Sequence, residues 1–164
     1  MDLTTAQPIA PTDLPQSDTN NRAGSLDPQE QQEVIRIMTE YFTQEFGGNV
    51  DKAHRAVAKI AKLITHQAAK LVHLGNTVFL VLVKSKGRVE VHTMAAGEDS
   101  ASLAGNFVKL ARYLKNIGVE EAYTFSDDPK FAIIAKRTRL PFRTRQEKVK
   151  GKETTVYTVD TKDI

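Results

Sequence analysis

The run Thr77 to Lys84 (TVFLVLVK) limits the possible folds more than any other part of this chain. It is dense in β-branched and aromatic residues and has no polar alternation, which suits a strand buried on both faces. Its apolar stretch, Val78 to Val83, falls far short of the roughly 20 residues that a membrane-spanning helix needs. A strand covered on both sides belongs to a sheet with helices packed against it. Everything else in the sequence has to supply those helices and the remaining strands.

Helical signals flank the run. Asp27-Pro28 places a capping side chain before a proline suited to the first helical position, and Val34, Ile35, Met38, Tyr41 and Phe42 follow at helical spacing until Gly47-Gly48. Asn49 or Asp51 caps a second helix predicted to continue to about Val72 and to close at Gly75. Its apolar stripe is Ala53, Val57, Ile60, Ile64, Ala68 and Leu71, with Lys52, Arg55, Lys59, Lys62, His66 and Lys70 opposite. Leu103, Phe107, Leu110, Leu114 and Ile117 mark a third helix, capped by Asp99 or Ser100 and stopped at Gly118. Asp128-Pro129 opens a short fourth.

Strand signals fill the gaps. Arg88 to Ala95 (RVEVHTMA) alternates after a Ser85-Lys86-Gly87 turn, and Val119 to Phe125 is a further strand. Phe142 to Val149 and Thr154 to Asp160 read as a hairpin around Lys150-Gly151. The predicted order is ααββαβαββ over residues 29–164, an α/β (α+β) domain with a mixed sheet flanked by helices.

Residues 1–28 differ in kind. They hold four of the six prolines, no aromatic residue, and Asp2, Asp13, Asp18 and Asp27 against Arg22 alone. Such composition buries too little apolar area to offset ordering entropy, so a flexible acidic arm is predicted. The arm carries a charge of −3 within a whole chain of +3, which leaves +6 on the domain. No basic and apolar leader follows Met1, so assembly in a cytoplasm is expected. The absence of cysteine excludes disulfides, thiolate metal centres and a cysteine nucleophile.

From Gly75 onward the element order resembles the acetyl-coenzyme-A-dependent N-acetyltransferase superfamily (GNAT). Val119 to Phe142 (VEEAYTFSDDPKFAIIAKRTRLPF) is similar to that family's last strand and helix, with Asp127-Asp128 and Pro141-Phe142 in the places of its Asn-like and Gly-Phe positions. Gly75-Asn76-Thr77-Val78-Phe79 followed by Val89-Glu90-Val91-His92-Thr93 resembles a divergent subset encoded by tailed bacteriophages, often beside genes for virion components. The resemblance implies a coenzyme loop of the form Gln/Arg-x-x-Gly-x-Gly/Ala at the start of the third helix. In this chain Glu98, Ala101 and Leu103 occupy those positions, with Asp99 adjacent, and Arg137 stands where the family often has a general-acid tyrosine. Two carboxylates oppose a pyrophosphate, and arginine does not transfer a proton near neutral pH.

Three groups of residues are candidates for function. Glu90 and His92 are two apart on a strand, so their side chains share a face; under an enzyme reading they are the catalytic pair, with Glu90 the general base that the resemblance implies. The four histidines, His54, His66, His73 and His92, lack metal-ligand spacing, and no metal is predicted. Between Lys130 and Lys152 nine Lys/Arg residues face a single acid, Glu147. Arg137, Arg139, Arg143, Arg145, Lys148 and Lys150 there, with Lys59 and Lys62 of the second helix, are predicted to bind a partner, either DNA or an acidic protein surface.

The reading that follows is a non-catalytic structural or interaction protein without a cofactor. It would be a multi-copy, non-membrane component of a bacteriophage virion, assembled among other subunits in the host cytoplasm. The alternatives are a divergent N-acetyltransferase using acetyl-coenzyme A, and a nonspecific nucleic-acid-binding protein.

Overall fold

The computed structural model describes residues 27–164; the predicted arm, but for its last two residues, lies outside them. The elements are α1 (Pro28–Glu45), α2 (Val50–Thr65), β1 (Ala69–Leu74), β2 (Thr77–Ser85), β3 (Arg88–Ala95), α3 (Ser100–Asn116), β4 (Glu121–Ser126), α4 (Pro129–Thr138), β5 (Arg143–Val149) and β6 (Lys152–Asp160), closed by a 3₁₀ turn at Thr161–Asp163. Six strands form one mixed sheet in the order β1-β2-β3-β4-β6-β5. With four helices besides, the described residues have the mixed α/β content that was predicted. No helix among the described residues is long and apolar enough to cross a membrane.

The predicted order needs one correction: a strand, β1, lies where α2 was expected to continue. After Thr65 the chain turns through Gln67 at φ 58°. The Gln67 N–H donates to the Ile64 carbonyl and the Ala68 N–H to the Leu63 carbonyl, both at 2.9 Å. This is the hydrogen-bond pattern of a Schellman stop. The same pattern ends α1 at Gly47 and α3 at Gly118, where glycine announces it. At α2 a glutamine takes the left-handed position, so no residue type marks the stop. His66 therefore caps the helix, and Lys70 and His73 belong to a strand. The polar face that His66 and Lys70 were predicted to share is therefore split between the helix cap and β1.

The chain divides into two compact units, 27–82 with 92–98, and 83–91 with 99–164. In the first, the buried face of α2 is Ala53, Val57, Ile60 and Ile64. With Val34, Ile37 and Met38 of α1, and Val78 and Leu80 of β2, these residues build the core. Truncating one of its large aliphatic side chains to alanine costs about 2–5 kcal/mol in such an environment. The antiparallel pair β1–β2 runs from Ala69↔Leu82 to Leu74↔Thr77, turning at Gly75-Asn76. Thr77 to Val81 are buried, as read from TVFLVLVK, but Val83 is 52% exposed, so the two-sided burial ends before the strand does.

In the second unit, β4 pairs antiparallel with β6, which pairs antiparallel with β5. The ring of Phe131 on α4 lies edge-on to Phe107 of α3 (5.6 Å between centroids) and to Tyr157 of β6 (4.7 Å), and Phe142 meets Tyr157 at 6.0 Å. Edge-to-face pairs at such distances each add about 0.5–1.5 kcal/mol beyond area burial. These aromatics join α3 and α4 to the sheet. The hairpin β5–β6 turns at Lys150-Gly151, as its sequence indicated.

Candidate functional site

The parallel pairing of β3 with β4 is set by a single carbonyl. Gly87 O accepts from both Glu120 N (2.7 Å) and Glu121 N (2.9 Å). Gly87 has φ 75°, and a Cβ there would lie 3.1 Å from the Glu120 side chain. Glycine thus permits the turn at positive φ; the nearby Glu120 atoms belong to an exposed side chain that can move aside. The register that follows is Arg88↔Glu121, Val89↔Ala122 and Glu90↔Tyr123. It is short, and its last pair is the chemically interesting one.

Tyr123 Oη donates to Glu90 Oε1 at 3.0 Å. Tyr123 is only 6% exposed. Burial first, and then the Glu90 carboxylate, raises its phenol above the ordinary tyrosine range, so it stays protonated. The Arg88 guanidinium lies 4.1 Å from the centre of the Tyr123 ring, and its Nε donates to Glu121 at 2.7 Å. Arg143 continues the chain of charges, 3.7 Å from Glu121 and 3.1 Å from Asp160. A carboxylate held by a buried phenol, beside an alternating row of charges, can accept a proton without moving.

On the other face of the sheet, where Val91, Ala122, Thr124, Tyr157 and Val159 alternate with Glu90, Tyr123 and Thr158, lies a cavity of about 470 Å³, its open mouth included. Its walls come from α3, α4, β3, β4 and β6, including Phe107, Leu110, Phe131, Phe142 and Tyr157. The cavity is almost wholly apolar, so it suits a hydrocarbon or aromatic group better than a charged one.

The predicted site residues fall into distinct places. Glu90 and His92 both lie on β3; Glu90 is half-buried in the second unit, and His92 is exposed in the first. Tyr123 escaped the sequence reading because its role depends on a cross-strand register. Lys59 and Lys62 are exposed on α2 in the first unit, whereas Arg137, Arg139, Arg143, Arg145, Lys148 and Lys150 are exposed in the second. Arg137, standing where the resemblance expects a tyrosine, sits in the last turn of α4.

The start of α3 does not fit a coenzyme diphosphate. Asp99 caps the helix, accepting from Ser102 N at 2.7 Å and Ser102 Oγ at 3.2 Å. These bonds, the backbone one foremost, hold its carboxyl below the usual range. In the first unit Glu98 Oε1 accepts from Asn76 N at 2.6 Å and from Thr77 Oγ1 at 3.3 Å. The N–H groups that would cradle a phosphate are capped by the chain's own carboxylate, and a second carboxylate precedes it. Among the described residues, no group of three or more His, Asp or Glu side chains is placed to hold a metal ion.

No protein-family model matches the sequence, and neither does any curated protein. Solved structures do. The chain is similar to a chimeric spermidine N-acetyltransferase derived from Vibrio cholerae, with 10% identity, TM-score 0.60, and coverage of 84% of this chain and 93% of that one. It is also similar to a ribosomal-protein-S5-alanine acetyltransferase from Vibrio fischeri, with 8% identity, TM-score 0.58, and coverage of 80% and 90%. A putative acetyltransferase of the GNAT family from Desulfovibrio desulfuricans aligns with 16% identity, TM-score 0.56, and coverage of 82% and 94%. At these identities the likeness is one of architecture, and the chain has a GNAT-like fold.

Proposed function

We propose that this protein is a divergent N-acetyltransferase that uses acetyl-coenzyme A, with Glu90 as the proton acceptor. The observation that carries the reading is the Tyr123–Glu90 hydrogen bond of 3.0 Å, on a fold shared with acetyltransferases. An amine must lose a proton to become a nucleophile, and a carboxylate held in place by a protonated phenol is suited to take it. Tyr123 positions Glu90, and Arg88 keeps positive charge over the phenol ring. Acetyl-coenzyme A, when bound, supplies the acetyl group as a thioester. Because Asp99 caps α3, this reading requires the coenzyme to be held without the usual diphosphate contact.

The test joins binding to turnover. A ligand at about 100 times its dissociation constant adds roughly 2.7 kcal/mol, which raises the melting temperature of a domain this size by several degrees. Acetyl-coenzyme A at millimolar concentration is expected to give that rise, and Glu90→Gln to abolish acetyl transfer to a polyamine or peptide amine. No rise and no transfer would overturn the reading.

A second reading is favoured by Glu98 and Asp99: an interaction protein that kept the fold and lost the coenzyme. Its place in a bacteriophage virion, in many copies among other subunits, rests on the sequence resemblance. It is expected to co-purify with a particle and to ignore acetyl-coenzyme A.

A further inference from the structure

Of the nine cations between Lys130 and Lys152, only Arg143 borders the proposed site, through Glu121. Three of them are neutralised within the second unit. Arg143 pairs with Asp160 and Glu121, Arg145 with Glu147 at 2.7 Å, and Lys152 with Asp127 at 2.7 Å. Lys130, Lys136, Arg139, Lys148 and Lys150 are exposed and make no ion pair among the described residues; Arg137, also exposed, interacts electrostatically with Asp99.

Two of these cations sit where the backbone disfavours them. Arg139 ends α4 at φ 59°, its N–H donating to the Lys136 carbonyl at 3.2 Å. Lys150 opens the hairpin turn at φ 52°, followed by Gly151 at φ 79°. Both are left-handed positions, where glycine or asparagine is the favoured residue. Among the described residues only Gln67 joins them as a non-glycine with positive φ. Charge is kept at both ends of β5 against the local conformational preference.

The strand between them indicates the kind of partner. Arg143, Thr144, Arg145, Gln146 and Lys148 are all exposed, and β5 is an edge strand. Seven residues of strand extend about 20 Å, a length that several successive phosphates of a duplex would match. Thr144 and Gln146 offer hydrogen bonds between the cations. The strand presents no exposed large apolar side chain that would anchor a peptide. Phe131 and Phe142 are half-buried against the cavity, so no exposed aromatic platform is available for unstacked bases.

We propose that the C-terminal end of α4 and the β5–β6 hairpin form a sequence-independent docking surface for the phosphate backbone of duplex DNA, with Arg139 and Lys150 as contacts flanking β5. The surface reads charge and spacing, not base identity.

The experiment measures binding of the full chain to two short duplexes of unrelated sequence by fluorescence anisotropy, between about 50 and 200 mM salt. Equal affinity for both duplexes and a steep fall with salt are expected. Arg139→Asn and Lys150→Asn should each weaken both duplexes alike and make the logarithmic salt slope shallower by about 1. Their melting temperatures should hold or rise, because asparagine suits the left-handed position better. Lys148→Gln, at an ordinary strand position, should weaken binding in the same way. A flat salt response, or unchanged affinity in all three variants, would overturn the proposal. Equal affinity for polyglutamate of matched length would also overturn it and assign the surface to an acidic protein.

Discussion

Tyr123 donates its phenolic hydrogen to Glu90 from the strand alongside, 3.0 Å away, at the last residue pair of the short parallel ladder between β3 and β4. Removing the hydroxyl leaves the carboxylate without that donor. Tyr123→Phe is expected to cost about 1.5 kcal/mol, in the range for a hydrogen bond to a charged group, as read by urea denaturation. Under the acetyltransferase reading it should also move the pH profile of turnover, while Glu90→Gln removes turnover altogether.

Alkaline pH gives an independent check on the same pair. The Tyr123 phenol is raised above its unfolded value by burial and by Glu90. Its contribution to stability is therefore fully present below the unfolded value, about 10, and is lost as pH rises through the higher folded value. Tyr41 is raised in the same direction by burial, so a residual alkaline loss remains in any single variant. Tyr123→Phe is expected to flatten the fall in stability above about pH 10 relative to the wild type. An identical fall in both proteins would show that Tyr123 does not carry it.

Gly87 sets the register that makes the pair. Gly87→Ala places a side chain at φ 75° and 3.1 Å from Glu120, for an expected loss of about 1–2 kcal/mol. Because the same carbonyl holds Glu120 and Glu121, proton exchange at those two amides should quicken more than in the rest of β4. Exchange that quickens uniformly would argue against a local role.

His73 is a buried tie in the first unit. It is 8% exposed, with Nδ1 3.3 Å from Glu30 Oε2 and Nε2 2.8 Å from the Gly75 carbonyl. The Gly75 carbonyl can only accept, so His73→Leu removes the Nε2 donor that serves it, together with the Nδ1 contact to Glu30, and is expected to cost about 2 kcal/mol. The variant should loosen the first turn of α1 and the β1–β2 turn together, visible as faster exchange at both. A loss confined to one of them would separate the two contacts.

Glu98 separates structural from functional constraint at the start of α3. Its carboxylate accepts from Asn76 N and Thr77 Oγ1. Glu98→Gln keeps an acceptor but loses the charge, with an expected cost of about 1 kcal/mol. If acetyl-coenzyme A binds near α3, the same variant should bind it more tightly, because one opposing charge is gone. Calorimetric titration of the two proteins checks both effects.

Much of the fold was legible because its signals are local. The caps Asp27, Asn49, Asp99 and Asp128 all hold their helices by side-chain hydrogen bonds. The β5–β6 hairpin forms around Lys150-Gly151. Periodicity and capping are written within a few residues, so a sequence displays them. The error at Ala69–Leu74 has the opposite cause: Gln67 adopts a left-handed conformation that its residue type does not advertise, and only packing selects it.

The chemistry divides along the same line. The sequence by itself determined a mixed α/β architecture, a one-sided run of cations before and within the last hairpin, and carboxylates where a coenzyme loop would start. Only the tertiary structure decided that Tyr123 meets Glu90, that Glu98 is held by the Asn76–Thr77 turn, and which cations lack acidic partners. The Tyr123–Glu90 and Glu98 contacts join residues more than 20 positions apart; cross-strand register brings the first pair together and the loop before α3 the second, and neither is local periodicity.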